Sequence, residues 1–169
     1  MVRTGDGFPL WPLLGTIVFI VLLPGTAVGL FPYLLSGWVF QPPFFATTLT
    51  RWLGVALLVG GFPFFITFCA RFVFEGRGTP APVAPTERLV VGGPFRYTRN
   101  PGCLSVLAMI IGQGLILGNM QVLLYAVLVG IGFHVFVVFY EEPTLRGQFG
   151  AEYQAYCQRV PVWLPRRPR

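Results

Sequence analysis

The sequence predicts an all-α, multi-pass integral membrane protein, with four transmembrane helices and a C-terminal interfacial amphipathic helix in one domain spanning residues 1–169. Three observations carry this. The 169 residues are 54% hydrophobic and only 11% charged, where a soluble domain is about one-quarter charged. The mean hydropathy is +0.69. The apolar residues also fall into four separate blocks, too many for a signal peptide ahead of a globular body.

Residues 11–35 are almost uninterrupted Leu, Val, Ile and Phe, long enough to cross a hydrocarbon layer of about 30 Å. Pro24-Gly25 predicts a kink in this first span, because Pro removes a backbone donor and Gly loosens the turn. Residues 36–50, with Pro42-Pro43, read as a connector. The second span covers 49–74, and Gly60-Gly61 is the expected point of approach for another helix backbone. Glu75 to Thr79 end that run, and Pro80, Pro82 and Pro85 forbid a helix beyond it.

Apolar runs at 101–117 and 121–140 flank Gly118-Asn119-Met120, which reads as a tight helical hairpin. The third span is short and calls for snorkelling or local thinning of the bilayer. Asn100 before Pro101 is a helix-start signal, since Asn caps free amides and Pro suits the first helical position. Beyond the fourth span Leu145, Phe149, Tyr153, Tyr156 and Val160 recur at spacings of four, four, three and four. That pattern predicts an amphipathic helix lying at the interface over the ends of the spans, with residues 161–165 anchored among the headgroups.

All twelve basic residues are Arg, and the net charge is +6. They cluster from Arg71 to Arg99 and from Arg146 to Arg169 without an interleaved aromatic patch, which points to topology and anionic membrane lipids and away from nucleic acid. With both termini cytoplasmic, eleven of the twelve obey the positive-inside rule and only Arg51 lies outside. Segments 75–100 and 141–169 then share the cytoplasmic face and can build one site; the expected location is a bacterial inner membrane. Cys69, Cys103 and Cys157 have no CxxC spacing and no neighbouring His, so they read as packing residues, with no disulfide framework and no metal site.

Two features on that face invite chemistry: the segment from Leu89 to Pro101, and the paired Glu141-Glu142. Carboxylates at a membrane boundary are costly unless they meet cations, and Arg96 and Arg99 are the nearest partners. One explanation is structural: the pair opens the interfacial helix, where negative charge suits the helix dipole, and the arginines meet lipid phosphates. The other is that the pair faces a small ligand carrying positive charge, while the helix start near Asn100 receives its negative group. An amino-acid zwitterion joined to a cationic sulfur fits such a bipolar pocket.

The segments GTPAP, LVVGGPFRYTRNP and EEPTLRGQFGAEYQAYCQRVPVWLP resemble the isoprenylcysteine carboxyl methyltransferase family and the broader membrane methyltransferases that include phospholipid methyltransferases. The resemblance covers the C-terminal two-thirds. Its shared pattern is Arg-His-Pro-x-Tyr followed, after a helical hairpin, by Glu-Glu; here Asn100 stands in place of the His and Cys103 in place of the Tyr. It implies an S-adenosylmethionine-dependent methyltransferase acting on a lipophilic or small acceptor, whether a carboxylate, a thiol or a lipid amine.

By position the resemblance implies that Glu87, Arg88, Leu89, Val90, Phe95 and Tyr97 bind the cofactor, that Arg99, Asn100, Pro101, Gly102 and Cys103 form the signature turn, and that Glu141 contacts the cofactor too. Arg96, Glu142 and His134 are the expected catalytic groups. His134 lies two turns before Glu141 and so is expected to face the same way, as a pocket residue or a general base; a helix-to-helix hydrogen bond is its structural alternative. Val137 occupies the position where members that methylate prenylated cysteine carry Arg. Transfer from a sulfonium demands alignment and desolvation, not a metal. Two other functions remain open: a membrane reductase of the sterol-reductase type using a nicotinamide cofactor, and a non-catalytic membrane protein of the same fold.

Overall fold

A computed structural model describes residues 10–76, 78–79 and 86–166, and its regular elements are all helical. Helix α1 (Leu10–Leu22) passes through a π-helical turn (Gly25–Leu30) into α2 (Phe31–Ser36). After a connector come α3 (Leu49–Phe74), α4 (Pro101–Leu117) and α5 (Met120–Phe136); a second π-helical turn (Val137–Glu141) then leads into α6 (Glu142–Arg159). Three stretches are long and apolar enough to cross a membrane: Leu10–Ser36, Leu49–Phe74 and the helix that starts at Met120. Of the four expected spans, three are thus of spanning length among the described residues, while α4, with 17 residues, is a shorter apolar helix. The chain is an integral membrane protein.

The kink expected at Pro24-Gly25 takes the form of the π-helical turn. Pro24 has no N–H to donate, and the changed register lets two carbonyls serve other helices. Ala27 O accepts from Tyr125 Oη (3.1 Å) and Val28 O from Gln113 Nε2 (2.8 Å), so two polar side chains in apolar surroundings are satisfied.

Helices α3 and α4 pack most closely. A methyl group on Gly54 would stand 2.6 Å from Gly112 O, and one on Gly112 would stand 2.7 Å from Gly54 O. Gly61 lies against Ser105 O and Met109, whereas Gly60 faces open space. The contact therefore falls on Gly54 and Gly61, seven residues apart and on one helix face, not on the adjacent pair Gly60-Gly61, whose members point about 100° apart. Between helices that share apolar surroundings, this close fit supplies the attraction that water would not. Phe65, Cys69, Val106, Met109, Ile110, Val122 and Ala126 form the core beside it.

Contacts at the helix ends fix which termini lie together. Gly15 of α1 abuts Thr79, just past α3. At the opposite end Gln41 N donates to Leu117 O (2.8 Å), Arg51 Nη2 to Gln41 O (2.7 Å), and Gly118, at φ +67°, lies under the Pro42 carbonyl. The hairpin expected at 118–120 is present, with Asn119 Oδ1 accepting from Val122 N (3.1 Å) to cap α5.

The expected interfacial helix is not a separate element. α6 continues from α5 through the π-helical turn and breaks at Gly150, where φ is +49°. Its apolar residues do share a face: Tyr153, Tyr156 and Val160 are buried together with Leu145, Phe149 and Cys157, but against Leu89. That face covers the loop before α4. The expectation for Pro80, Pro82 and Pro85 lies outside the described residues.

Candidate functional site

The loop leading to α4 is held against the end of α3 by one carboxylate. Glu75 Oε1 accepts from Val91 N (3.2 Å) and Gly92 N (3.0 Å), and Arg71 Nη1 donates to Glu75 Oε2 (3.2 Å). Gly92 and Gly93 make this possible. A side chain on Gly92 would collide with the Glu75 carboxylate, and Gly93 has φ +55°, with a Cβ there only 2.8 Å from Arg71 Nε. The 3₁₀ turn that follows, Gly93–Arg96, buries Phe95 against Phe68 and Phe72, its ring centroid 5.8 Å from each.

Arg99 then reaches across to α6. Its Nη1 donates to Glu142 Oε1 (2.8 Å), Cys157 Sγ (2.8 Å) and Tyr153 Oη (3.5 Å), while Arg146 binds the other Glu142 oxygen (3.3 Å). Arg99 Nε is buried and has no partner. Burial works against the Arg99 charge, but Tyr153 and Glu142 outweigh it and hold the guanidinium charged. Glu141 has no such cation: burial, then the neighbouring Glu142 charge, pushes its carboxyl up to about 7.

These groups surround a cavity of about 90 Å³ between the loop, the end of α5 and α6. Of the residues singled out in the sequence, Leu89, Val90, Phe95, Arg99, Asn100, Glu141 and Glu142 line it. Glu87 and Arg88 line an outer hollow of about 460 Å³, which has Leu89 as a wall in common with the cavity. Pro101 and Gly102 are buried in the first turn of α4, Gly102 under the Phe68 ring, and Cys103 follows them in that turn, partly buried.

Others are elsewhere. Arg96 and Tyr97 are exposed, and His134 is exposed with its ring 6.1 Å from Trp163. The π-helical turn accounts for His134: a wider turn between it and Glu141 breaks the seven-residue alignment of a regular helix. Val137, at 1% exposure, takes the inward place four residues before Glu141 and lines the cavity. Asn100 sits at the helix N-cap position but makes no capping bond; its Nδ2 donates instead to Val162 O (3.2 Å).

Phe72, Thr86, Leu145, Tyr153 and Tyr156 also line the cavity, and the motifs did not single them out for a site. The two tyrosines carried a signal, because a phenol on a buried helix face needs a partner that Leu would not. Tyr156 Oη finds it at Phe95 O, 2.8 Å away. Thr86 offers its carbonyl to Gln148 Nε2 (2.7 Å), a second tie between loop and α6.

No curated protein and no solved structure matches the chain. A family model does: that for phospholipid methyltransferases matches residues 49–152. The match takes in α3, the loop with Arg99, the α4–α5 hairpin, the carboxylate pair and most of α6. By that match over more than half its length, the chain belongs to the phospholipid methyltransferase family.

Proposed function

We propose that this membrane protein is an S-adenosylmethionine-dependent methyltransferase whose cofactor occupies the cavity around Arg99 and whose acceptor is a lipophilic or small molecule arriving from the membrane. The observation that carries this is the unspent donor on Arg99. One side of its guanidinium is taken by Glu142, Cys157 and Tyr153, while Nε is buried without a partner. Leaving a buried donor unpaired costs about 1–3 kcal/mol, and an anionic ligand group relieves that cost. Glu141, in the same cavity, has its charge suppressed by burial and by Glu142; a cation bound there restores it. A carboxylate and a sulfonium in one molecule answer both.

The cavity alone, at about 90 Å³, is smaller than the roughly 300–1,000 Å³ of small-molecule sites. An outer hollow of about 460 Å³ shares Leu89 with it, so a cofactor that passes Leu89 occupies both, with Glu87 and Arg88 along its outer part. When bound, S-adenosylmethionine supplies an electrophilic methyl group. Phe72, Val90, Phe95 and Val137 form the dry wall that strips water from an incoming nucleophile. Glu141, with a carboxyl near its titration point at neutral pH, is suited to take a proton from a protonated acceptor.

Among the described cavity residues Arg99 is the only cation. Once Arg99 holds the cofactor carboxylate, no second positive group is left among the described cavity residues for an acceptor carboxylate, which favours a lipid amine or a thiol. The arginine distribution supports a site end that faces the cytoplasm, and we place the protein in a bacterial inner membrane.

Titration of the purified protein in detergent with S-adenosylhomocysteine, followed by calorimetry, tests this. Saturable binding near one equivalent per chain, undisturbed by NADPH, is the expected result. Binding of NADPH alone would shift the assignment to a reductase, and binding of neither would leave a non-catalytic membrane protein.

A further inference from the structure

Residues 161–165 have the sequence of a headgroup anchor, yet they turn back onto the loop that carries Arg99. Arg99 N donates to Pro161 O (2.9 Å) and Arg166 N to Tyr97 O (3.0 Å). The Thr98 hydroxyl donates to Val162 O (2.9 Å) and is shared with Trp163 O (3.2 Å), and Asn100 Nδ2 reaches the same Val162 O at 3.2 Å. Thr98 is fully buried and Asn100 nearly so. The bonds flank Arg99 on both sides in sequence, while its guanidinium ties to Glu142, Tyr153 and Cys157 of α6.

Because α6 runs directly into this segment at Val160, the chain closes a ring: α6, the strap 161–166, the turn 97–100, the Arg99 side chain and α6 again. A ring of this kind fixes the guanidinium from two directions, and loosening it at one point slackens the rest. We propose that Thr98 and Asn100 are positioning residues, which clamp the C-terminal strap Pro161–Arg166 to the Arg99 turn and so set how tightly the cavity holds its ligand. Thr98 does not line the cavity and so acts without touching the ligand, whereas Asn100 lies at its edge. The ligand arm of the test rests on the function proposed above; the clamp itself does not.

Thr98→Val removes the hydroxyl at nearly constant volume, and Thr98→Ser restores it. Two measurements follow each variant in detergent: hydrogen exchange along the chain, and affinity for S-adenosylhomocysteine. In Thr98→Val, exchange in the α6 segment 153–157 is expected to quicken about tenfold and affinity to fall about tenfold, the scale of losing a buried hydrogen bond. The α3–α4 contact should keep its protection, and Thr98→Ser should stay within about twofold of the parent by both measures. Asn100→Ala, which loses one bond, should move both in the same direction by about threefold.

Faster exchange confined to 161–166, with 153–157 unchanged, would show a mere tether and overturn the proposal. So would a uniform quickening that included α3 and α4. If the parent protein does not bind S-adenosylhomocysteine, the proposed function fails while the exchange pattern still decides the clamp.

Discussion

The two ends of the helix bundle are closed by different chemistry. At the end formed by the connector and the 118–119 hairpin, mainly backbone does the work: Gln41 N on Leu117 O, Gly118 in a left-handed conformation, one Asn cap and one Arg on a carbonyl. At the other end side chains from α3, the loop, α6 and the tail converge, with Glu75, Thr98, Arg99, Gln148 and Tyr156 each bonding across more than fifteen residues of sequence. Turning a chain at a membrane surface needs only the first kind. The second spends buried charge and leaves a donor over, which is what a binding site requires and a turn does not.

That contrast can be broken in four ways, ordered here by expected effect. Arg99→Ala strikes the site end hardest, since it leaves the largely buried Glu142 only its longer bond to the exposed Arg146; losing one partner of a buried pair costs up to about 3–5 kcal/mol. The expected outcome is no measurable binding of S-adenosylhomocysteine by calorimetry, together with a lower melting temperature. Gly112→Val attacks the α3–α4 contact instead and should cost about 1–3 kcal/mol through overpacking. Its melting temperature drops, but the folded fraction should bind ligand like the parent, because the contact is remote from the cavity.

The third concerns pH. Glu141 has its carboxyl raised from 4.5 to about 7, so between those values the folded chain holds a proton that the unfolded chain has released. Stability contributed by this group therefore falls as pH rises through that window and levels off above it. A bound cation favours the ionised form, so affinity for S-adenosylmethionine should rise about tenfold between pH 6 and 8. Glu141→Gln should flatten both dependences, by melting curves and by titration at each pH. Smallest is His134→Ala: exposed and outside the cavity, it should change affinity by less than about twofold.

Most of the helical layout was legible in the sequence, because apolar runs bounded by Gly, Pro and polar residues mark their own ends. The α4–α5 hairpin and the expected second span fall where the pattern places them. The expected pairing of Arg99 with the carboxylates is met by its bond to Glu142, since a buried carboxylate has few other cations within reach. The π-helical turn at Val137–Glu141 was not legible: no residue type marks it, and it takes His134 out of line with Glu141. Nor does spacing reveal what a helix face packs against. The apolar face of α6 was correctly grouped, yet it covers Leu89, and a pattern of apolar residues reads the same whether its partner is lipid or protein.

The most direct test of the account is ultraviolet crosslinking of methyl-labelled S-adenosylmethionine to the purified protein, with the labelled peptides mapped by mass spectrometry. Label within residues 86–104 and 137–157 that unlabelled S-adenosylhomocysteine competes away is the expected result. Label at the connector 37–48 or the 118–121 hairpin, or no competable label at all, would contradict it.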